Sequence, residues 1–336
     1  MLSTNGCLRL TPPLRSDRSE ASALQCPLCS SGTAKHILTA KNGFMIFRCA
    51  GCSLVYTDNR RAIAGASLYP PFQQTDRPAV RHAHSLLSIF LRQRAAFVRS
   101  IKPGGRLLDF GCGNGAFANW MAEQGYDVVG LEPFSLGRPT HLERLQLIRE
   151  PFESVRERLG AFDVVTLWHV LEHLRNPVQI LKSLAEHLNP DGVLIVSVPN
   201  FRSWQRVVFQ GSWFHLDPPR HLLHFESESL AQCLQRASLS PLKTQSFLPE
   251  YGSSGWIQSV LNAFLPHANY LYEFVKDRGA LNTMSRLSSF LHFAISGALA
   301  PPLLGLSLPL EAAASIADAP AALTVAAQKT AAKGAQ

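Results

Sequence analysis

The sequence has 336 residues, of which 46% are hydrophobic and 17% charged. A chain this apolar can bury a core, which excludes disorder as its overall state, and its length is that of about two domains. Lys and Arg (32) outnumber Asp and Glu (24), giving a formal charge of +8, a balance that suits an anionic partner such as nucleic acid or a membrane surface.

That charge is unevenly spread. Residues 1–102 hold 14 Lys/Arg against 4 acids, and residues 103–336 hold 18 against 20. Arg supplies 24 of the 32 basic residues, and codon preference accounts for that choice as readily as binding does. Residues 1–22 read as a disordered polar tail with no apolar signal core, so the cytoplasm is the expected compartment. One long apolar stretch, from Leu291 to Leu310, contains His292 and is interrupted by Pro301, Pro302 and Pro309. A spanning helix needs about 20 apolar residues with intact backbone hydrogen bonds, so this stretch is not expected to cross a membrane.

Residues 23–60 carry Cys26 and Cys29, then Cys49 and Cys52. Two C-x2-C knuckles at this separation match a tetrahedral zinc site, and four thiolates would leave no coordination position for water. Such a zinc is structural. An iron site of rubredoxin type or two disulfides are the alternatives, the latter disfavoured in a reducing compartment. Gly43–Arg48 and Ser53–Tyr56 read as short ribbon strands. Residues 61–102 read as a basic helical linker.

From Pro103 onward strands and helices alternate. Arg106–Phe110 is a strand, Gly111-Cys112-Gly113-Asn114-Gly115 a glycine loop, and Ala116 to about Gln124 a helix. Asp127–Leu131, Leu145–Ile148 and Phe162–Trp168 follow as strands. A helix starts at Asn176-Pro177, with Asn as cap and Pro in the first turn. Its apolar face is Val178, Leu181, Leu184, Ala185 and Leu188. Asn189–Gly192 reads as a turn into a strand at Val193–Val198. Near-continuous apolar strands separated by helices predict an α/β, doubly wound sheet with ligands at the carboxyl ends of its strands.

Gly111, Gly113 and Ala116 also satisfy a dinucleotide fingerprint, a weak signal. Asp109, two residues before the first glycine, would repel a pyrophosphate but suits the ammonium and sulfonium of S-adenosylmethionine. Glu132 ends the next strand, where an acid can accept both ribose hydroxyls of either ligand.

On these residues the sequence resembles the class I S-adenosylmethionine-dependent methyltransferases. Leu107–Gly115 looks like their first motif, and Phe162–Pro177 is similar to the segment around strand four of the ubiquinone-type small-molecule members. Asn189–Leu194 resembles their turn into strand five. The likeness covers roughly residues 80–250, with Ala322–Lys329 like their last strand. It implies a Rossmann-like, seven-stranded methyltransferase domain over residues 103–330, with a helical insertion at 252–320. It also implies cofactor binding by Asp109, Gly111, Gly113, Gly115, Glu132, Phe152 and Trp168, with Glu150 meeting the adenine amino group and Phe152 its ring. A zinc ribbon before such a domain resembles bacterial methyltransferases of sugars, surface polysaccharides and secondary metabolites.

A hydroxyl acceptor profits from a base that titrates near neutrality, which points to histidine. His169 ends strand four, and His173 follows one helical turn later beside Glu172. Trp213–Phe225 contains Arg220, able to clamp an anion, and His221, a further candidate base. Structural packing is the competing role for each. Phe201–Phe209 is amphipathic and either covers the pocket or lies against a lipid-linked substrate or a membrane surface. Residues 252–320 read as a substrate roof or a dimer interface. The expected function is methyl transfer to oxygen or carbon of a small molecule such as a sugar, polysaccharide precursor, quinone-like compound or secondary metabolite. The alternatives are an RNA methyltransferase that docks through the ribbon and a non-catalytic cofactor-binding module. Trp168-His169-Val170-Leu171 stands where base-amine methyltransferases carry Asn/Asp-Pro-Pro-aromatic, which disfavours nucleic acid.

Overall fold

The computed structural model describes residues 25–58, 78–133, 143–276 and 285–330. The expected tail at 1–22 and residues 61–77 of the expected linker lie outside them.

The elements run β1 (Ala34–Thr39), β2 (Met45–Cys49), β3 (Val55–Thr57), α1 (Pro78–Arg99), β4 (Arg106–Phe110), α2 (Ala116–Glu123), β5 (Asp127–Leu131) and β6 (Leu145–Ile148). They continue with α3 (Phe152–Val155), β7 (Phe162–Trp168), α4 (Pro177–Glu186), β8 (Leu188–Pro199), α5 (Trp204–Phe209), β9 (Leu223–His224), α6 (Ser227–Arg236) and β10 (Leu239–Gln245). Helices α7 (Pro249–Phe264), α8 (Tyr270–Lys276) and α9 (Arg286–Ile316) precede the last strand, β11 (Ala322–Lys329).

The large sheet has seven strands in the order β10-β11-β8-β7-β4-β5-β6. β8, β7, β4, β5 and β6 pair in parallel, and β11 runs antiparallel to both its neighbours. The parallel strands are buried on both faces: Leu107, Leu108, Val164, Val165, Leu194 and Ile195 are wholly inaccessible, which explains their near-continuous apolar sequence. Helix α4 lays Leu181, Leu184 and Ala185 on the sheet, and α6 does the same with Leu230, Cys233 and Leu234, as 3.6-residue spacing requires. The chain builds outward from β4 to β6, then returns to add β7 on the other side of β4. That reversal opens a crevice at the carboxyl ends of β4 and β7, where ligands bind in such sheets.

Four local readings change. Asn176 precedes α4 without a side-chain capping bond. Asn189–Gly192 is not a separate turn but the irregular start of β8, where the β7 register shifts between Phe162 and Val164. The ribbon strands lie at Met45–Cys49 and Val55–Thr57, and a third, β1, precedes them. Finally, Pro301, Pro302 and Pro309 do not break the apolar stretch, which is one helix from Arg286 to Ile316.

The ribbon is built into the α/β unit. Its strands form a sheet of order β1-β2-β3-β9, and β9 belongs to the segment between β8 and β10. Arg48 of β2 grips Glu226 with two hydrogen bonds, at 2.7 and 2.9 Å, a fork geometry that fixes direction as well as adding energy.

Candidate active site and cysteine cluster

β4 delivers the glycine loop. Gly111, Gly113 and Gly115 all have left-handed backbones, with φ of 75°, 56° and 77°. The first two positions differ in kind. A Cβ on Gly111 would lie 2.5 Å from Val170 Cγ2, whereas one on Gly113 would meet nothing within 4 Å among the described residues. Gly111 is therefore required by close packing, and Gly113 faces open space. The Gly113 N–H donates to Glu132 Oε2 at 3.2 Å, which brings the end of β5 level with the loop. This cradle suits S-adenosylmethionine: an open glycine face flanked by a carboxylate able to take ribose hydroxyls.

Asp109 is only 2% exposed and sits behind the loop. The Thr166 hydroxyl donates to its Oδ1 at 2.9 Å. Burial pushes the carboxyl up to about 6, even with the Thr166 bond and the Arg94 charge opposing that. The Phe152 ring is buried with edge-on contacts to Phe110, the residue before the loop, and to His187. Glu150 forms an exposed ion pair with Arg158.

β7 delivers Trp168 and His169. Trp168 packs edge-on to Phe117, and the Arg94 guanidinium lies 5.3 Å from its ring centre. His169 has φ +54°, a left-handed conformation that costs a non-glycine residue of order 1 kcal/mol. Its N–H donates to the Ser197 carbonyl at 2.9 Å, and its ring stacks on Tyr251 at 3.6 Å between centroids. These contacts hold the imidazole at the strand end.

Beneath it lies Glu172, with no solvent exposure. His169 Nδ1 stands 3.2 Å from Glu172 Oε1. Burial opposes the charge, but the imidazoles of His169, His173 and His221 more than offset it and hold the carboxyl at about 2. Opposite the contact with Glu172, His169 Nε2 is buried and has no partner among the described residues.

His173 and His221 meet edge-on at 4.7 Å. Each faces a backbone carbonyl with Nδ1, His173 that of Arg220 at 2.9 Å and His221 that of His215 at 2.7 Å. If Nδ1–H donates there, each Nε2 keeps its lone pair. Ligand atoms of Glu172, His173 and His221 lie within 4.8 Å of one another, so the three could hold a cation. Burial lowers His221 well below the ordinary imidazole range and takes His215 down to about 4 and His224 to about 3. All three imidazoles are neutral at pH 7.

Three contributors escape sequence reasoning. Arg94 of α1 is partly buried, pairs with Glu250 and Tyr251, and lies 5.1 Å over the Tyr251 ring. Tyr251 itself comes from α7, so the helices after β10 form a roof over His169. Thr57 in the ribbon donates its hydroxyl to the His221 carbonyl at 2.7 Å and lies 2.9 Å from His224 Nε2. Arg94 resembles its neighbours Arg92 and Arg99 in sequence, and nothing local marks it or Tyr251 as a site residue.

The four ribbon cysteines also converge. Their sulfurs lie within 4.8 Å of one another, with Cys26–Cys52 and Cys29–Cys49 at 3.5 Å. A disulfide is about 2.05 Å long. A zinc ion at about 2.3 Å from four tetrahedral sulfurs sets them roughly 3.8 Å apart, so the cluster fits that ion.

Residues 80–244 match a family model described as a methyltransferase domain. With the fold and the glycine loop, this defines the region as a class I S-adenosylmethionine-dependent methyltransferase domain. Among its curated relatives is the ubiquinone biosynthesis O-methyltransferase of Aliivibrio fischeri (strain MJ11), 37% identical over 105 residues. That alignment covers 29% of this chain and 45% of the relative. The enzyme of the same description from Yersinia enterocolitica is 34% identical over 113 residues, covering 31% and 47%. The chain thus spans less than half the length of these relatives. Similar solved structures include a SAM-dependent methyltransferase from Archaeoglobus fulgidus, with TM-score 0.42, 16% identity and coverage of 72% of this chain and 94% of that one. Coclaurine N-methyltransferase has TM-score 0.43 and 14% identity, covering 79% and 77%.

Proposed function

We propose that the protein transfers a methyl group from S-adenosylmethionine to an oxygen or carbon of a small molecule, with His169 as the general base. The carrying observation is the approach of His169 to the buried Glu172 at the β7 end, one strand from the glycine loop, with Nε2 of His169 unpartnered among the described residues.

The cofactor, when bound, supplies an electrophilic methyl on a sulfonium. The chain's own residues do the rest. Gly113 leaves room for the cofactor and Glu132 offers a carboxylate to its ribose. Nε2 of His169 accepts the proton of the acceptor hydroxyl, and Glu172 steadies the imidazolium that results, as a buried carboxylate does for a catalytic histidine. Tyr251 and Arg94 close the roof and exclude water. His173 and His221 flank Glu172. Much of the acceleration comes from aligning acceptor and methyl, a term worth several kcal/mol.

In this reading the Cys26, Cys29, Cys49 and Cys52 thiolates hold one structural zinc. Its task is to fix β3 against β9 and so set His221 in place. The acceptor class is a sugar, polysaccharide precursor, quinone-like compound or secondary metabolite. Zinc-loaded protein incubated with methyl-labelled S-adenosylmethionine and cell extracts, followed by mass spectrometry of labelled products, tests this. Label in a small molecule, lost in His169→Ala, supports it. Label in RNA alone, or cofactor binding with no product, overturns it.

A further inference from the structure

Helix α9 is polar where it meets the protein and apolar where it does not. Its buried residues are His292, Ser296, Ser307, Glu311 and Ala314, spaced as one narrow stripe along a helix. Outside that stripe Phe290, Phe293, Leu299, Leu304, Leu306 and Leu310 are exposed, Phe290 at 65% and Leu306 at 60%. A helix that flanks a water-soluble core shows the opposite arrangement. From Leu287 to Leu310 there is no Asp, Glu, Lys or Arg. The stretch is long and apolar enough to cross a bilayer by composition, yet it is neither a buried core helix nor an N-terminal segment.

The polar stripe anchors the helix at both ends. Near its start, Tyr270 donates to the Ser289 carbonyl at 2.9 Å and the His267 N–H to His292 Nε2. Near its end, Glu311 accepts from the Ala321 N–H at 2.7 Å and from Gln205. Nineteen residues of helix, about 28 Å at 1.5 Å each, separate His292 from Glu311. A helix tied to the domain over that length lies along it and cannot stand apart to span a bilayer. The apolar surface continues onto Phe264 at the end of α7 and onto Val207 and Val208 of α5, 78%, 54% and 61% exposed. Arg286, exposed at the helix start, stands at its margin with a charge complementary to an anionic lipid surface, whereas Arg202 beside α5 is paired with the exposed Glu228.

We propose that α9, with Phe264 and α5, is a monotopic membrane-docking surface: the helix lies in the plane of the bilayer with its apolar circumference in lipid. A second copy of the chain would cover one further stripe of α9, whereas hydrocarbon contacts every exposed side at once and needs no polar partner. The surface is continuous with the roof, because α7 carries both Tyr251 over His169 and Gly252, whose added Cβ would touch Glu311 of α9. The docking surface therefore adjoins the roof of the site, a placement that suits a methyl acceptor with a lipid tail. This last step rests on the methyltransferase reading.

Flotation of the full chain with phosphatidylcholine vesicles, with and without phosphatidylglycerol, tests the proposal. The protein should float with both, more completely with the anionic lipid. Phe290→Glu combined with Leu306→Glu should weaken partition by about tenfold or more, since each removes a large buried side chain from lipid. Cofactor affinity by calorimetry should not change, which shows that the variant is folded and separates this test from that of the catalytic reading. Two results overturn the proposal. One is wild-type protein that stays in the aqueous fraction. The other is a concentration-dependent dimer in lipid-free buffer, dissolved by the same pair of substitutions without effect on flotation.

Discussion

The imidazole of His169 and the phenol of Tyr251 lie face to face, 3.6 Å between centroids, joining the end of β7 to a helix from the far end of the sequence. The same Tyr251 hydroxyl meets Arg94 of α1. One aromatic ring thus holds the strand-end histidine and closes the site. Tyr251→Ala should lower kcat/KM by about 10- to 100-fold, through a misplaced base and an open roof. Tyr251→Phe keeps the stack and should lose markedly less. Steady-state kinetics on the two variants checks this, and equal losses would assign the effect to the hydroxyl instead.

Gly111 and Gly113 should respond differently to the same change. Gly111→Val drives a side chain into Val170 and should unfold or strongly destabilise the protein. Gly113→Val fills open space, so the cost to the fold is the left-handed backbone alone, about 1–2 kcal/mol. Its cofactor binding should be lost. Thermal melting and calorimetry side by side make the comparison.

Stability should fall as the pH drops below about 6.5. His215, His221 and His224 are neutral in the fold because burial depresses them, so the unfolded chain gains their protons first. Their contribution is fully present above the unfolded imidazole pKa and is lost on acidification. Asp109 acts in the opposite sense: raised to about 6, it takes a proton in the fold before the unfolded chain does. Three groups against one leave a net loss between pH 6.5 and 5. His224→Gln should make the decline shallower by up to about 1.4 kcal/mol per pH unit, as read by denaturant unfolding across that range.

Asp109→Asn should raise stability at pH 7 while abolishing cofactor binding. The amide keeps an oxygen for the Thr166 hydroxyl and removes a buried charge whose cost is up to about 2–3 kcal/mol. Denaturant midpoints and calorimetry report the two effects separately. A less stable variant would show that the charge is matched by Arg94.

Metal removal should reach the methyltransferase site. The ribbon touches that site through β3–β9 and through Thr57 on the His221 carbonyl. A chelator, or Cys29→Ser, should lower the melting temperature and the activity together, and metal analysis should find about one zinc per chain in untreated protein. Full activity in metal-free protein would refute this role.

Much of the sheet was legible in local sequence. Strands buried on both faces must be nearly continuous runs of apolar residues, and the helices between them must carry an apolar stripe, so β4 to β8 and α4 and α6 announce themselves. The glycine loop and the two C-x2-C knuckles are equally readable, since backbone geometry and tetrahedral ligation restrict residue type and spacing over a few positions. Arg94, Tyr251 and Thr57 left no such trace. Each acts through one contact with a distant segment, and a lone Arg, Tyr or Thr has the same local pattern whether or not that contact exists.

The apolar stretch shows the division most sharply. Sequence determined its hydrophobicity, and three prolines argued against an unbroken spanning helix. Only the tertiary structure decided that the helix continues through them, and that its few polar residues face inward. Hydrophobicity is a property of residues and can be read along the chain. Which side of a helix meets protein is settled by anchors at Tyr270, Gln205 and Ala321, which the chain brings to it from elsewhere.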